Sequence, residues 1–136
     1  MKELETMVVQ TADKMNRNGR LYPRAELEKL VGHPAVYGEL SFFKETELIL
    51  SKDTEVTRLT INLDNASHIA SDFRMVGDDL VCSLRLVGPK GKIVKEIMEK
   101  LGEAPQLALR GFFPTPVDGV VRDYQMVTVD IVSERA

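Results

Sequence analysis

Apolar and polar positions alternate most clearly between residues 69 and 86. Ile69, Ser71, Phe73 and Met75 fall on one face of an extended segment and Ala70, Asp72, Arg74 and Val76 on the other. After Gly77-Asp78-Asp79, the residues Leu80, Cys82, Leu84 and Leu86 recur at every second place. A period of two is that of a half-buried strand, and a Gly-Asp-Asp cluster between two such runs is turn chemistry, so the pattern predicts an antiparallel hairpin. The next stretch changes period: Ile93, Ile97 and Leu101 stand four apart, Pro89 precedes them, lysines gather toward the end, and Gly102 and Pro105 follow. This is a helix with its stop signals, and packing on the sheet would account for its apolar stripe.

Weaker signals flank these two. Met7 to Gln10 predict an opening strand, Asn18-Gly19 a turn, and Pro23 the first position of a short helix carrying Leu27, Leu30 and Val31 before Gly32. Thr54 to Leu63 favour a strand, QLALRGFF (106–113) reads as a buried strand and PTPVDGV (114–120) as a loop. VRDYQMVTVDIV (121–132) reads as a final strand with Val127, Val129 and Ile131 facing inward. Hairpins with interspersed helices predict an α+β fold with a largely antiparallel, barrel-like sheet.

Composition narrows the function more than the fold. A chain of 136 residues fits one domain, residues 1–136, with a single core, and 43% hydrophobic with 29% charged residues is a globular balance. The net charge of −3 and scattered Lys and Arg give no footprint for nucleic acid. One cysteine allows no internal disulfide, no apolar run reaches the ~18–20 residues of a membrane span, and the first ten residues lack a signal-peptide core, which points to a reducing cytosolic setting.

The chemistry-bearing residues are few. His68 follows Ser67 on a strand, where neighbours point to opposite faces, so the pair is not expected to work as nucleophile and base. His33 reads as a loop residue ending the first helix. Cys82 shares its face with leucines and should behave as a small hydrophobe. GPKGK (88–92) fails as a phosphate loop, because Leu86 stands where the first glycine belongs and no Ser or Thr follows Lys92. No cofactor or metal site is suggested by two histidines without clustered cysteines or carboxylates.

Several stretches nonetheless fall into a familiar order: NRNGRLYPRAEL (16–27), YGEL (37–40), INLDNASHIASDFRMVGDDLVCSLRLVGPKGKIVKEIM (61–98), LALRG (107–111) and VRDYQMVTVDIV (121–132). Together they resemble the successive signatures of the prohead maturation proteases of tailed phages, a family related to the herpesvirus assemblins. The resemblance runs from about Asn16 to Val132. It implies a compact antiparallel β-barrel flanked by helices and a serine protease acting on scaffold and capsid proteins.

Departures fall where that chemistry belongs. The family's general base is a histidine followed by proline just after the Gly-Glu-Leu turn, and here Phe42 and Phe43 stand there. The family's nucleophile is a serine before the Arg-Gly turn, and here that run is Leu107, Ala108 and Leu109. Neither a phenyl ring nor an alkyl chain attacks a carbonyl or carries a proton. What matches is His68, the family's supporting strand histidine, and Arg110-Gly111, the turn whose backbone helps hold the oxyanion.

The resemblance therefore implies a phage protein that has lost the catalytic pair at Phe42, Ala108 and Leu109 and serves as a non-catalytic binding module in capsid assembly or on a host protein. Phe42, Phe43, Phe112 and Phe113 are the candidate partner surface, and otherwise they fill the old cleft. The implied location is the host cytoplasm or the virion. Partners would be proteins, not nucleic acid or membrane, and a homodimer stays open because assemblin relatives dimerise. The alternative is an active endopeptidase with a rearranged centre, using His68, or His33-Pro34 with Ser41, Ser67, Ser71 or Ser83.

Overall fold

The computed structural model describes residues 3–41, 48–50 and 59–133. Among these residues, seven strands and two helices follow one another as β1 (Glu3–Thr11), α1 (Arg24–Glu28), β2 (Val36–Glu39), β3 (Leu48–Leu50), β4 (Ala66–Val76), β5 (Asp79–Leu86), α2 (Gly91–Leu101), β6 (Gln106–Pro114) and β7 (Gln125–Val132). They form a four-stranded sheet in the order β1-β5-β4-β2 and a three-stranded sheet in the order β3-β6-β7. All pairs are antiparallel except β3 with β6.

The architecture is mixed α and β with mostly antiparallel sheets, as the patterns predict, but the expected barrel is not closed among the described residues. β2 is four residues long, and its ladder to β4 shifts between Gly38 and Glu39. Its end leaves β4 for β7, where Leu40 and Ile131 make one parallel bridge and the Ser41 N–H donates to the Ile131 carbonyl at 2.8 Å. One bridge joins two sheets at a corner without closing them.

The β4–β5 hairpin forms where the alternation places it, with Gly77 in the left-handed conformation at the turn. Its faces, however, differ from the simple reading. Asp72 has φ 53°, and the register to β5 shifts between Ser71 and Arg74. This bulge moves Phe73 onto the core side with Ala70, although their spacing is odd. The Arg74 guanidinium holds the kink, bonding the Asp72 carbonyl at 3.0 Å, its carboxylate at 2.9 Å and the Thr6 hydroxyl of β1 at 2.7 Å.

Leu80, Cys82, Leu84 and Leu86 are buried as their period predicts, in one core with Val9, Leu107, Leu109, Phe113 and Val129. Tyr22 and Tyr124 close one side of it edge to face, with centroids 5.4 Å apart. Burial pushes the Cys82 thiol up to about 12, so it stays protonated as the apolar residue it was expected to be.

α1 spans five residues, with Pro23 at the N-cap instead of inside, and Val31 faces outward. α2 ends on Gly102, whose φ of 69° lets its N–H reach the Met98 carbonyl at 2.8 Å. Its buried side is Gly91 and Val94. The stripe expected to pack on the sheet is turned aside: Ile93 is 40% and Leu101 67% exposed. Of the strand expected over Thr54 to Leu63, residues 54–58 lie outside the described residues. At its end Leu63–Asn65 make a 3-10 turn capped by the Asn62 side chain, which accepts from the Asp64 N–H at 3.1 Å.

Candidate functional site

Four strand segments meet where β2 crosses from one sheet to the other. Gly38 of β2 pairs with His68 of β4. The His68 ring reaches across to β7, its Nε2 lying 2.7 Å from the Val129 carbonyl. A Cβ on residue 38 would collide with this imidazole and with the Val129 oxygen. Glycine is thus required so that the backbone can cross directly over the imidazole–carbonyl bond.

The tautomer follows from the partners. A carbonyl only accepts, so Nε2 carries the proton, and the bare Nδ1 accepts from the Ser67 hydroxyl at 2.7 Å. This corrects the expectation that adjacent strand residues stay apart. Their Cβ atoms do diverge, but Oγ is one bond from its Cβ and Nδ1 one bond from the ring's attachment point, so the two polar atoms meet beside the backbone. Ser67 and His68 are both 0% exposed. Burial lowers the imidazole to about 4 in spite of the Val129 bond, so the ring is neutral at physiological pH.

In chemical terms the pair has a hydroxyl aimed at an unprotonated imidazole nitrogen, the first requirement for a serine nucleophile. It lacks an approach for a substrate, because strands cover it on both sides.

One residue further along β2 lies a charged cluster. The Arg110 guanidinium of β6 meets the Glu39 carboxylate at 2.7 Å and Asp130 of β7 at 3.0 Å, and also donates to the Thr60 carbonyl at 3.2 Å. Asp130 accepts from the Glu39 N–H at 3.1 Å, and Glu39 accepts from the Asn62 N–H and the Asn65 amide at 3.2 and 3.3 Å. Burial works to raise the Glu39 carboxyl, but the bonds from Arg110, Asn62 and Asn65 outweigh it and hold it below its ordinary value. For Asp130 burial wins: it is raised, with Glu39's charge adding to the effect and Arg110 opposing it.

The sequence reading singled out Arg110 but missed Glu39 and Asp130. Their signal was a lone acid in each of the Gly-Glu-Leu and Val-Asp-Ile-Val stretches, both otherwise apolar around them. Arg110-Gly111 is also not a turn. It lies inside β6, where Arg110 pairs with Thr128 and Gly111 with Met126, and the register shifts between them. A side chain at Gly111 would strike the Tyr124 ring and the Gln125 carbonyl.

Leu107, Ala108 and Leu109 are all buried. Of the four phenylalanines proposed as a partner surface, Phe113 is 0% exposed, its ring 5.8 Å from that of Tyr124, and so belongs to the core. Phe112 is partly buried, and Phe42 and Phe43 lie outside the described residues. His33 sits apart from all of these. Its N–H donates to the Leu30 carbonyl, Nδ1 lies 2.8 Å from the Pro34 oxygen, and its ring meets Phe73 edge-on. It is a loop residue as expected, but α1 ends at Glu28 with Lys29 as its C-cap, so His33 does not end that helix. No serine among the described residues bonds to it.

Compared as a whole, this arrangement of strands is similar to a solved structure, the bacteriophage T4 capsid assembly protease, gp21. The match has a TM-score of 0.62 and 21% sequence identity, and it covers 97% of this chain and 91% of that one. The chain has the fold of a phage capsid assembly protease. At this identity the likeness establishes the fold and leaves the chemistry to be argued from residues. No family profile and no curated protein matches the sequence.

Proposed function

We propose that this chain is a phage protein that uses a capsid-protease fold as a non-catalytic binding module, acting in capsid assembly or on a host protein, in the host cytoplasm or the virion. One observation carries the reading. The run before Arg110-Gly111, where the resemblance puts the nucleophile, is Leu107-Ala108-Leu109 and is buried in the core. Alkyl side chains there supply neither attack nor proton transfer.

The proposed partner surface comprises Phe112 together with Phe42 and Phe43, the latter two outside the described residues. Phe113 drops out of it, because a ring already inside the core has no apolar area left to give to a partner.

The second reading, an endopeptidase with a rearranged centre, is favoured by the Ser67 hydroxyl bonded to His68. Complete burial of both groups speaks against it. A fluorophosphonate probe separates the two. The purified protein is expected to keep its intact mass after exposure and to leave phage scaffold and capsid substrates uncut. A covalent adduct on Ser67 with loss of cleavage in His68→Ala would establish the endopeptidase instead.

A further inference from the structure

Asn18-Gly19 shapes a turn and takes no part in the proposed function. It is also a pair in which a side-chain amide meets the least hindered of backbone nitrogens. The covalent step open to it is deamidation. The Gly19 nitrogen, after losing its proton to base, bonds to Asn18 Cγ, the Cγ–Nδ2 bond breaks, and the amide nitrogen takes up a proton and leaves as ammonia. Water then opens the resulting succinimide at either carbonyl, giving aspartate or isoaspartate at position 18.

The fold leaves this pair within reach of water but holds it in the wrong shape to react. Gly19 is exposed, with open space on the side where a Cβ would stand. Met15 and Leu21 pair across the turn, and the Gly19 N–H donates to the Asn16 carbonyl at 3.1 Å. Arg17 and Asn18 keep negative φ while Gly19 has φ 74°, which makes residues 16–19 a type I turn ending on a left-handed glycine. The third residue of such a turn has ψ of about 0°, so the Asn18 Cβ is rotated about 120° away from the Gly19 nitrogen, whereas ring closure needs the two nearly eclipsed. The bond to Asn16 also favours the protonated form of that nitrogen.

Asn16 is the clasp. Its side-chain oxygen accepts from the Asn18 and Arg20 N–H groups, both at 3.0 Å, and its own N–H donates to the Arg20 carbonyl at 2.8 Å. The Asn18 Nδ2, by contrast, has no hydrogen-bond partner among the described residues, so the leaving group itself is not tied down.

We propose that Asn18 is a covalent modification site gated by the Asn16 clasp: it deamidates when the turn opens and is protected while the turn is closed. Isoaspartate adds one bond to the main chain and so keeps the turn from closing again, loosening the Leu21 N–H from the Gly119 carbonyl that it meets at 2.8 Å. The gate is independent of what the fold binds or cleaves.

The test is peptide mapping by mass spectrometry after incubation at mildly alkaline pH, with isoaspartate marked by an isoaspartyl methyltransferase. Residue 18 should convert at least about tenfold more slowly in the folded chain than in guanidinium chloride, since reaction awaits a local opening. Asn16→Ala, shown to be folded by circular dichroism, should convert faster than the native chain, and Asn16→Asp, which keeps the accepting oxygen, should stay slow. Equal rates for the native sequence folded and unfolded overturn the proposal, and that comparison needs no variant. So does a folded Asn16→Ala that converts no faster, because the protection then does not come from the clasp.

Discussion

Two polar knots lie one residue apart along β2, one joining β4 to β7 and the other β2 and β6 to β7, and they are built in opposite ways. Beneath Gly38 the knot is neutral: a serine hydroxyl, an uncharged imidazole and a backbone carbonyl in line. At Glu39 it is ionic: one guanidinium between two carboxylates. A neutral chain of hydrogen bonds avoids the cost of burying charge, at the expense of admitting only one protonation state. The ionic cluster holds charge in a dry place and so depends on every member being present. The two carboxyls shift in opposite directions, Glu39 down and Asp130 up, so their contributions to the pH dependence of stability oppose one another. The histidine has no such counterweight.

The largest effect is expected from breaking the ionic knot. Arg110→Ala leaves Glu39 and Asp130 facing each other without a cation and should cost about 3–5 kcal/mol in denaturant unfolding. A loss no larger than that of an exposed arginine would mean that the cluster is solvated and not a buried unit.

Acid comes next, and it acts on the neutral knot. The His68 imidazole titrates near 6.5 in the unfolded chain and at about 4 in the fold. Between these values the unfolded chain takes up a proton that the folded one refuses. The His68 contribution is therefore full above the upper value and is lost as pH falls toward the lower, by about 3 kcal/mol in all. Unfolding free energies measured across that window should fall more steeply for the native chain than for His68→Gln. Parallel curves would mean that the ring is protonated or open to water in the fold.

The smallest of the three is steric. Gly38→Ala places a methyl group against the imidazole and the Val129 oxygen without touching the Arg110 pairs, and overpacking of this kind costs about 1–3 kcal/mol. A neutral substitution would show that the crossing has slack and that Gly38 is not what keeps the strand close.

How legible each part was depends on how far its cause reaches along the chain. The β4–β5 hairpin, the burial of Cys82 and the Gly102 stop of α2 follow from residues within a few positions of one another, and all are found. The bulge at Asp72 is almost as local, but its anchor is the Thr6 hydroxyl, 68 positions from Arg74, so alternation alone put Phe73 and Ala70 on opposite faces. The ionic knot joins Arg110 to Glu39 across 71 positions and to Asp130 across 20, and no local pattern marks such partners. The Ser67–His68 contact escaped for another reason: the rule that neighbouring strand residues diverge concerns Cβ atoms and is silent about short polar side chains rotating back along the backbone.

By itself, the order of residues determined which stretches extend, which coil and where they stop, because hydrophobic period and turn chemistry act over a handful of bonds. It also determined that no hydroxyl precedes Arg110-Gly111, since that is a matter of residue identity. Only the three-dimensional arrangement decided that the described strands form two sheets, that Ser67 and His68 touch in the dark interior, and that the α2 stripe looks outward. Those outcomes depend on which distant strands win the burial of a given face, and that competition is settled by the assembled core, not by any segment alone.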